Sequence, residues 1–347
     1  MDNQQLQAIV PLLLDWYNKN KRSLPWRKTR DPYAIWVSEI MLQQTRVTAA
    51  LPYYTRFLQT LPTISHLANA EESVLLKLWE GLGYYSRVRN MQKAAKEICM
   101  KHGGIFPSKY DNILALPGIG EYTAGAIASI AFEQCIAAVD GNVLRVISRI
   151  LNSFDDISQS KCKKNLKNTL EAIYPEDRAG DFTQSLMELG ALICLPGKAV
   201  QCNNCPLSEI CLAKQCNTAE QLPVKAEKKA KKLQKKTVLI LSYNDQYALS
   251  KREEKGVLHG FYIFPMIDGH IKQCDLKAIL ANMGIQPKSI EKWLSNRHIF
   301  THIIWEMDSF LIRCKFSTDN FMWKTKNEIK EEISIPSAFQ PFLKNSP

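Results

Sequence analysis

The stretch Leu116-Pro117-Gly118-Ile119-Gly120-Glu121-Tyr122-Thr123-Ala124-Gly125-Ala126-Ile127-Ala128 decides how this chain is read. Pro117 ends one helical pattern, and Gly118 and Gly120 permit positive φ and close backbone approach. The small residues from Thr123 to Ala128 then open a helix suited to tight packing. A turn of that shape aims backbone N–H groups outward from a helix N-terminus, where a phosphate binds without regard to base sequence. Taken alone, the turn is better read as a plain corner between two helices.

Two neighbours change that balance. Val139-Asp140-Gly141-Asn142-Val143 follows the apolar run Ile136 to Val139. Asp140 on its own reads as a cap for the next helix. Further on come Cys194, Cys202, Cys205 and Cys211, of which the last three form a dense Cys-x2-Cys-x5-Cys string. Such spacing is metal-like, and zinc is the generic occupant of four cysteines. Cys216 is a less favoured fourth ligand. Cys99, Cys135, Cys162, Cys274 and Cys314 lie apart and read as small apolar residues. No signal-peptide pattern begins the chain, so a disulfide scaffold is not expected.

With 347 residues, two domains are the default. The net charge of +11 points to a polyanionic partner. Much of that charge is local: seven lysines and one glutamate fall between Lys225 and Lys236. A run of this kind is more often a solvated linker than a nucleic-acid contact. No segment approaches the length of a membrane span.

Apolar periodicity predicts an N-terminal helix (Leu6, Ile9, Val10, Leu13, Leu14, Tyr17), which Pro11 starts or kinks. Further helices are expected at 34–47, 64–79, 90–100, 111–116, 123–132, 142–151, 163–173 and 181–193. Residues 1–221 thus read as one helical domain with a cysteine loop at 194–211, and 222–236 as the linker. From Thr237 the pattern changes. Strands are expected at 237–243, 247–250 and 299–315, with a helix at 275–283, so 237–347 reads as an α+β domain.

The ordered strings resemble a known family. Besides the hairpin, Val139–Asn142 and the cysteines, they are Pro25-Trp26-Arg27, Ser38-Glu39-Ile40-Met41-Leu42-Gln43-Gln44-Thr45 and Gly81-Leu82-Gly83-Tyr84-Tyr85-Ser86-Arg87. Over nearly its whole length the chain resembles the iron–sulfur helix-hairpin-helix glycosylases of the endonuclease III superfamily, and among them the MutY-type adenine DNA glycosylases. The resemblance implies base excision repair of adenine opposite 8-oxoguanine or guanine in double-stranded DNA, by a monomer. It implies a [4Fe–4S] cluster on Cys194, Cys202, Cys205 and Cys211. It also implies a bacterial cytoplasmic protein, held at the nucleoid through DNA.

Base removal needs a protonated leaving base and a stabilised sugar cation, a task for two carboxylates in different surroundings. Asp140 is one. The other is Glu39, whose apolar, amide-rich segment would bury it and raise its pKa. The resemblance makes Glu39 the acid, Asp140 the stabiliser of the sugar cation, and Tyr122 and Asn142 the residues that orient them. It places Gly118 and Gly120 on the phosphate backbone. Arg27, Leu42, Gln43, Gln44 and Tyr84 are expected at the flipped-out nucleotide and the gap it leaves.

Relatives that also cut the backbone carry a lysine nucleophile after the hairpin. This chain has Glu121-Tyr122 there, which implies a monofunctional glycosylase. The runner-up is a bifunctional enzyme for oxidised pyrimidines; a third reading is a non-catalytic lesion sensor. Three departures from the family pattern stand out. Glu121 is acidic beside the phosphate grip. Seven residues separate Cys194 from Cys202, where six are usual. The C-terminal segment resembles a MutT-like (Nudix-like) domain that reads 8-oxoguanine, but its Phe-Ser-His triplet is Phe300-Thr301-His302 here. The string Arg252 to Gly256 lacks the glutamate spacing of a pyrophosphohydrolase. Lys198 and Lys214 in the cysteine loop are further candidates for phosphate contact.

Overall fold

The computed structural model describes residues 6–226 and 230–346. Chain packing divides it into two units. One joins Met1–Ala70 to Arg89–Glu227; the other joins Glu71–Val88 to Lys228–Pro347.

The first unit is helical. Its elements begin with α1 (Ile9–Asn20), a 3-10 turn at Pro25–Arg27, α2 (Pro32–Leu42), α3 (Val47–Thr60) and α4 (Ile64–Asn69). Helix α5 (Glu72–Leu78) belongs to the second unit, and α6 (Ser86–His102) returns the chain to the first. Then follow α7 (Tyr110–Leu114), α8 (Glu121–Phe132), α9 (Gly141–Ile150), α10 (Ser160–Glu171), α11 (Ala179–Leu192) and the short α12 (Leu212–Gln215). Pro11 lies in the first turn of α1, where its missing N–H costs no helical bond. Residues 1–5 of the expected N-terminal helix lie outside the described residues.

Helix α2 begins sharply because Asp31 accepts from the Tyr33 and Ala34 amides and Pro32 presets the first φ. It stops at Leu42, short of the expected 47, because Gln44 turns left-handed at φ 59°. The expected helix over 64–79 is broken by Ala70, which is extended at ψ 142°. Helix α3 was not anticipated. A continuous core from α1, α9, α10 and α11 includes Leu13, Val143, Ile147, Leu170, Phe182 and Leu186.

The second unit holds one seven-stranded sheet in the order β3-β2-β1-β6-β5, with β4 on β1 and β7 on β2. Its strands are β1 (Lys232–Tyr243), β2 (Gln246–Lys251), β3 (Tyr262–Ile263), β4 (Met266–Asp268), β5 (Pro287–Ile299), β6 (Ile303–Cys314) and β7 (Met322–Thr325). The sheet is mixed, because β1 runs parallel to β6 and antiparallel to its other partners. Helix α13 (Gln273–Asn282) packs Leu276 and Leu280 against Leu239, Leu241, Phe310 and Ile312. Helices α14 (Lys326–Glu332) and α15 (Gln340–Asn345) close the chain.

Two sequence expectations need correction here. The strand expected over 299–315 is β6 alone, beginning at Ile303; Ile299 ends β5, an antiparallel strand that was not expected, and Phe300-Thr301-His302 joins the two. The linker expected over 222–236 is mostly structured. Residues 222–226 dock on the first unit through Leu222, Val224 and Ala226, and Lys232 to Lys236 open β1. Residues 227–229 lie outside the described residues. The strand tolerates these lysines because Lys232 and Lys235 stay exposed and the buried Lys236 has partners for its ammonium group. Lys236 is 5 % exposed, set over the Trp305 ring and paired with Asp268.

Candidate active site

Helices α2 and α8 bring Glu39 and Tyr122 together across 83 residues of sequence: the Tyr122 hydroxyl donates to Glu39 Oε2 at 2.6 Å. Glu39 is 6 % exposed. Burial pushes its carboxyl from 4.5 up to about 7, helped by the charge of Asp140 and opposed by the Tyr122 bond and by Arg27. Such a group carries a proton near neutrality and can give it away. The Tyr122 phenol is held well above its ordinary value, first by burial and then by Glu39.

Asp140 caps α9 and takes its geometry from that role. Its Oδ1 accepts from the Val143 amide at 2.7 Å and its Oδ2 from Asn142 Nδ2 at 3.0 Å. Burial raises this carboxyl too, but the Val143 and Asn142 bonds and Arg145 pull it back. The two carboxylates are therefore placed differently: one in apolar surroundings beside a single phenol, the other solvated by protein donors. Asn142 is fixed in turn by Arg145 Nη2 at 2.9 Å, and Arg145 reaches the Gly190 and Cys194 carbonyls at 2.8 Å each. Gly190 is required here, because a Cβ on it would meet Asn142 Cβ at 2.7 Å.

Glu39, Tyr122, Asp140 and Asn142 line one cavity of about 820 Å³ in the first unit. Leu42, Gln43 and Gln44 line it as well, and Gln43 Nε2 donates to Thr123 Oγ1 at 3.4 Å. No lysine lines it. Arg27, expected at DNA, is held in the wall as a bidentate partner of Glu188, at 2.8 and 2.7 Å. Arg22 grips the same carboxylate at 2.9 and 2.5 Å. Burial disfavours the Glu188 anion, yet the arginines outweigh it and hold its pKa down to about 2. Arg22 and Glu188 were missed in the sequence. Glu188 carries the signal that marked Glu39, a lone acid in an apolar helix segment, Leu186-Met187-Glu188-Leu189-Gly190.

The hairpin glycines differ in role. Gly118 sits at φ 77°, and a Cβ there would meet Asn90 Cβ at 2.5 Å. Gly120 is extended at φ −99° with open space around it, so positive φ is needed at Gly118 alone. Glu121 occupies the first turn of α8, where a carboxylate is favoured by the helix dipole.

Cys194, Cys202, Cys205 and Cys211 line one small cavity together with Arg149. Arg149 Nη1 donates to Cys194 Sγ at 3.2 Å, while its buried Nη2 has no hydrogen-bond partner among the described residues. Burial pushes the Cys205 thiol up to about 12 and those of Cys202 and Cys211 upward. Among the described residues no His, Cys, Asp and Glu set is arranged to hold a metal ion as it stands. Cys216 is exposed and does not line the cavity. Between Cys194 and Cys202 the loop takes a 3-10 turn, Gly197–Ala199, with Gly197 at φ 57°.

In the second unit, Thr301 Oγ1 donates to Tyr84 Oη at 3.2 Å. Tyr84 is 45 % exposed and left-handed at φ 49°. Phe300 meets His298 and Trp305 edge-on, with ring centroids 4.6 and 4.9 Å apart.

A hairpin-led helical fold with this carboxylate pair defines a class, the base excision DNA glycosylases. Residues 37–172 match the HhH-GPD superfamily of base excision DNA repair proteins, and residues 237–345 match the NUDIX domain. The adenine DNA glycosylase of Buchnera aphidicola subsp. Acyrthosiphon pisum (strain APS) is 34% identical over 340 residues, covering 96% of each chain. The chain belongs to the adenine DNA glycosylase family. A thermostable thymine-DNA glycosylase superposes with a TM-score of 0.56 at 29% identity, over 62% of this chain and 98% of that one. Endonuclease III in a non-covalent DNA complex gives 0.54 at 22% identity, over 62% and 98%. That likeness fixes the fold of the helical unit, and the expected class, a helical glycosylase region followed by a Nudix-like α+β domain, is borne out.

Proposed function

We propose that this chain is a monofunctional adenine DNA glycosylase that hydrolyses the N-glycosidic bond of adenine opposite 8-oxoguanine or guanine. The observation that carries the reading is Glu39: a buried carboxyl raised to about 7, bonded to Tyr122, in one cavity with Asp140. A target base must leave the duplex to reach it. The cavity volume lies within the roughly 300–1,000 Å³ of ordinary ligand sites. Protonated Glu39 donates to a ring nitrogen of the flipped adenine, which turns the base into a neutral leaving group. Asp140, ionised and held by the Val143 amide and Asn142, faces the positive charge that develops on the sugar. Glu39, now a carboxylate, takes a proton from the attacking water. Tyr122 keeps Glu39 oriented, and among the described residues no amine lines the cavity to form an imine with the sugar, so strand scission does not follow.

Gly118 and Gly120 hold the DNA backbone at the start of α8, while Leu42, Gln43, Gln44 and Tyr84 fill or line the space the base vacates. Phe300, Thr301 and His302 read the opposite base, with the Thr301 hydroxyl as donor and acceptor. Cys194, Cys202, Cys205 and Cys211 hold a [4Fe–4S] cluster. They share one cavity, and the unpartnered Arg149 Nη2 beside them suits an anionic thiolate cluster. When bound, the cluster orders the loop from Cys194 to Cys211, and base release itself runs on Glu39 and Asp140.

The test is base release from a labelled duplex with adenine opposite 8-oxoguanine, read with and without alkali, beside a duplex carrying an oxidised pyrimidine. Alkali-dependent cleavage at the adenine alone is expected. Alkali-independent cleavage at the oxidised pyrimidine would overturn the reading.

A further inference from the structure

We propose that the lysine-rich opening of the second unit is a positioning device for Phe300-Thr301-His302, and so sets how strongly the enzyme prefers 8-oxoguanine over guanine opposite adenine. The inference rests on the function proposed above and concerns residues that function leaves unused. By composition alone these lysines are a tether or a general attractor of phosphate.

The geometry gives them narrower work. Lys231 Nζ donates to the Phe300 carbonyl at 2.8 Å. The Lys232 amide donates to the His302 carbonyl at 3.1 Å, and from there β1 runs beside β6 in parallel register, Lys232 against Ile303. The triplet is the connection between β5 and β6, with a single internal ladder bond, Phe300 N to the Ile303 carbonyl at 2.9 Å. A connection of three residues closed by one bond has few restraints of its own. Its outer two carbonyls are taken by consecutive residues of the lysine run, and its middle hydroxyl by Tyr84.

Strand alternation extends the support beneath the loop. Gln234 and Lys236 fall on one face of β1. Gln234 Oε1 accepts from Trp305 Nε1 at 2.9 Å, and Lys236 Nζ lies over the same ring, 5.4 Å from its centroid. Arg252 adds a second cation over that ring at 5.5 Å. Trp305 is 1 % exposed, and Phe300 rests edge-on against it. The run therefore fixes both the backbone of the triplet and the floor under its first residue. Discrimination between two opposite bases depends on where the loop's polar groups stand, so loosening the loop lowers the ratio of rates more than either rate's dependence on DNA charge.

The experiment uses the full-length holoprotein and compares single-turnover adenine release from duplexes with adenine opposite 8-oxoguanine and opposite guanine. Lys231→Ala removes one tether and Lys231→Arg restores a donor. Lys232→Pro removes the amide donor together with the side chain, at the first position of a strand where proline is tolerated, while Lys232→Ala removes the side chain and keeps the amide. Lys235→Ala removes an equal charge from the same run without touching the triplet. The preference ratio is expected to fall about five-fold in Lys231→Ala and in Lys232→Pro, the effect of one ordinary hydrogen bond. It is expected to stay at the wild-type value in Lys231→Arg, Lys232→Ala and Lys235→Ala. Wild-type ratios in both Lys231→Ala and Lys232→Pro overturn the proposal, as does an equal fall in Lys235→Ala, which would make the effect one of charge. If Lys232→Pro fails to fold, Lys231→Ala against Lys231→Arg decides. A wild type that releases adenine equally from both duplexes overturns this proposal alone. A wild type that releases none overturns the function and this inference with it.

Discussion

Replacing Glu39 by Gln tests the proposed acid through stability as well as rate. In the folded chain burial lifts this carboxyl from 4.5 to about 7. The folded chain thus keeps a proton that the unfolded chain has already lost. The stability associated with that proton is complete below about pH 4.5 and disappears as pH rises to about 7. An interval of about 2.5 pH units corresponds to about 3 kcal/mol. Glutamine has nearly the same shape and does not titrate. Glu39→Gln should therefore match wild type within error at about pH 4.5 and exceed it by about 3 kcal/mol at about pH 8. For a unit of this size that is a rise in Tm of roughly 6–12 °C. Scanning calorimetry of both holoproteins at the two pH values measures it. The same substitution should slow single-turnover adenine release by about 10²–10⁴-fold. A variant less stable than wild type at about pH 8, or a Tm difference that does not change with pH, would refute a carboxyl held protonated by burial.

Tyr122→Phe removes the donor that lowers the Glu39 pKa, so the fall in base-release rate with rising pH should move to higher pH, seen in a single-turnover pH profile. Glu188→Gln leaves Arg22 and Arg27 without their buried carboxylate and should cost about 3–5 kcal/mol by urea unfolding at neutral pH. Because the Glu188 pKa is held down to about 2, the stabilisation it gives is present above 4.5 and is lost as pH falls towards 2, so the gap between Glu188→Gln and wild type should narrow in acid. Gly118→Ala should lower Tm by several degrees, through both the φ of 77° and the Asn90 contact, whereas Gly120→Ala should change it little. Cys205→Ser should reduce iron and sulfide content, measured by colorimetric assay of the purified protein, if the four thiols share one cluster.

What the sequence made legible was whatever repeats locally. Apolar spacing of 3.6 gave most of the helices in the first unit, and Asp140 and Gly118 were marked by turn chemistry that needs few neighbours. Helix α3 was missed because Pro52 sits inside it, and residues 34–47 were read as one helix because Gln44 gives no local sign of its left-handed turn. In the C-terminal region β5 went unread because its charged and polar residues show no clean alternation, so the reversal at Phe300 to His302 had no first strand to mark it. Lysine content concealed a strand, because the Trp305 ring that makes Lys236 tolerable lies 69 residues away in sequence. The Glu188 clamp was hidden for the same reason: its two arginines come from the other end of the helical unit.

The second unit borrows residues 71–88 from within the span of the glycosylase superfamily match. Tyr85 packs on Phe261 with ring centroids 4.5 Å apart and its hydroxyl accepts from Ser334 Oγ at 3.4 Å, while Gln340 Nε2 donates to Glu80 Oε1 at 3.3 Å. Heredity and engineering both feel this. A missense change at Tyr85 would be filed under the glycosylase region by its position in the sequence, yet its damage would arise among Phe261 and Ser334 of the second unit. Nor does a cut in the lysine run yield two self-sufficient pieces, since the N-terminal fragment would carry away a strip whose partners remain on the other.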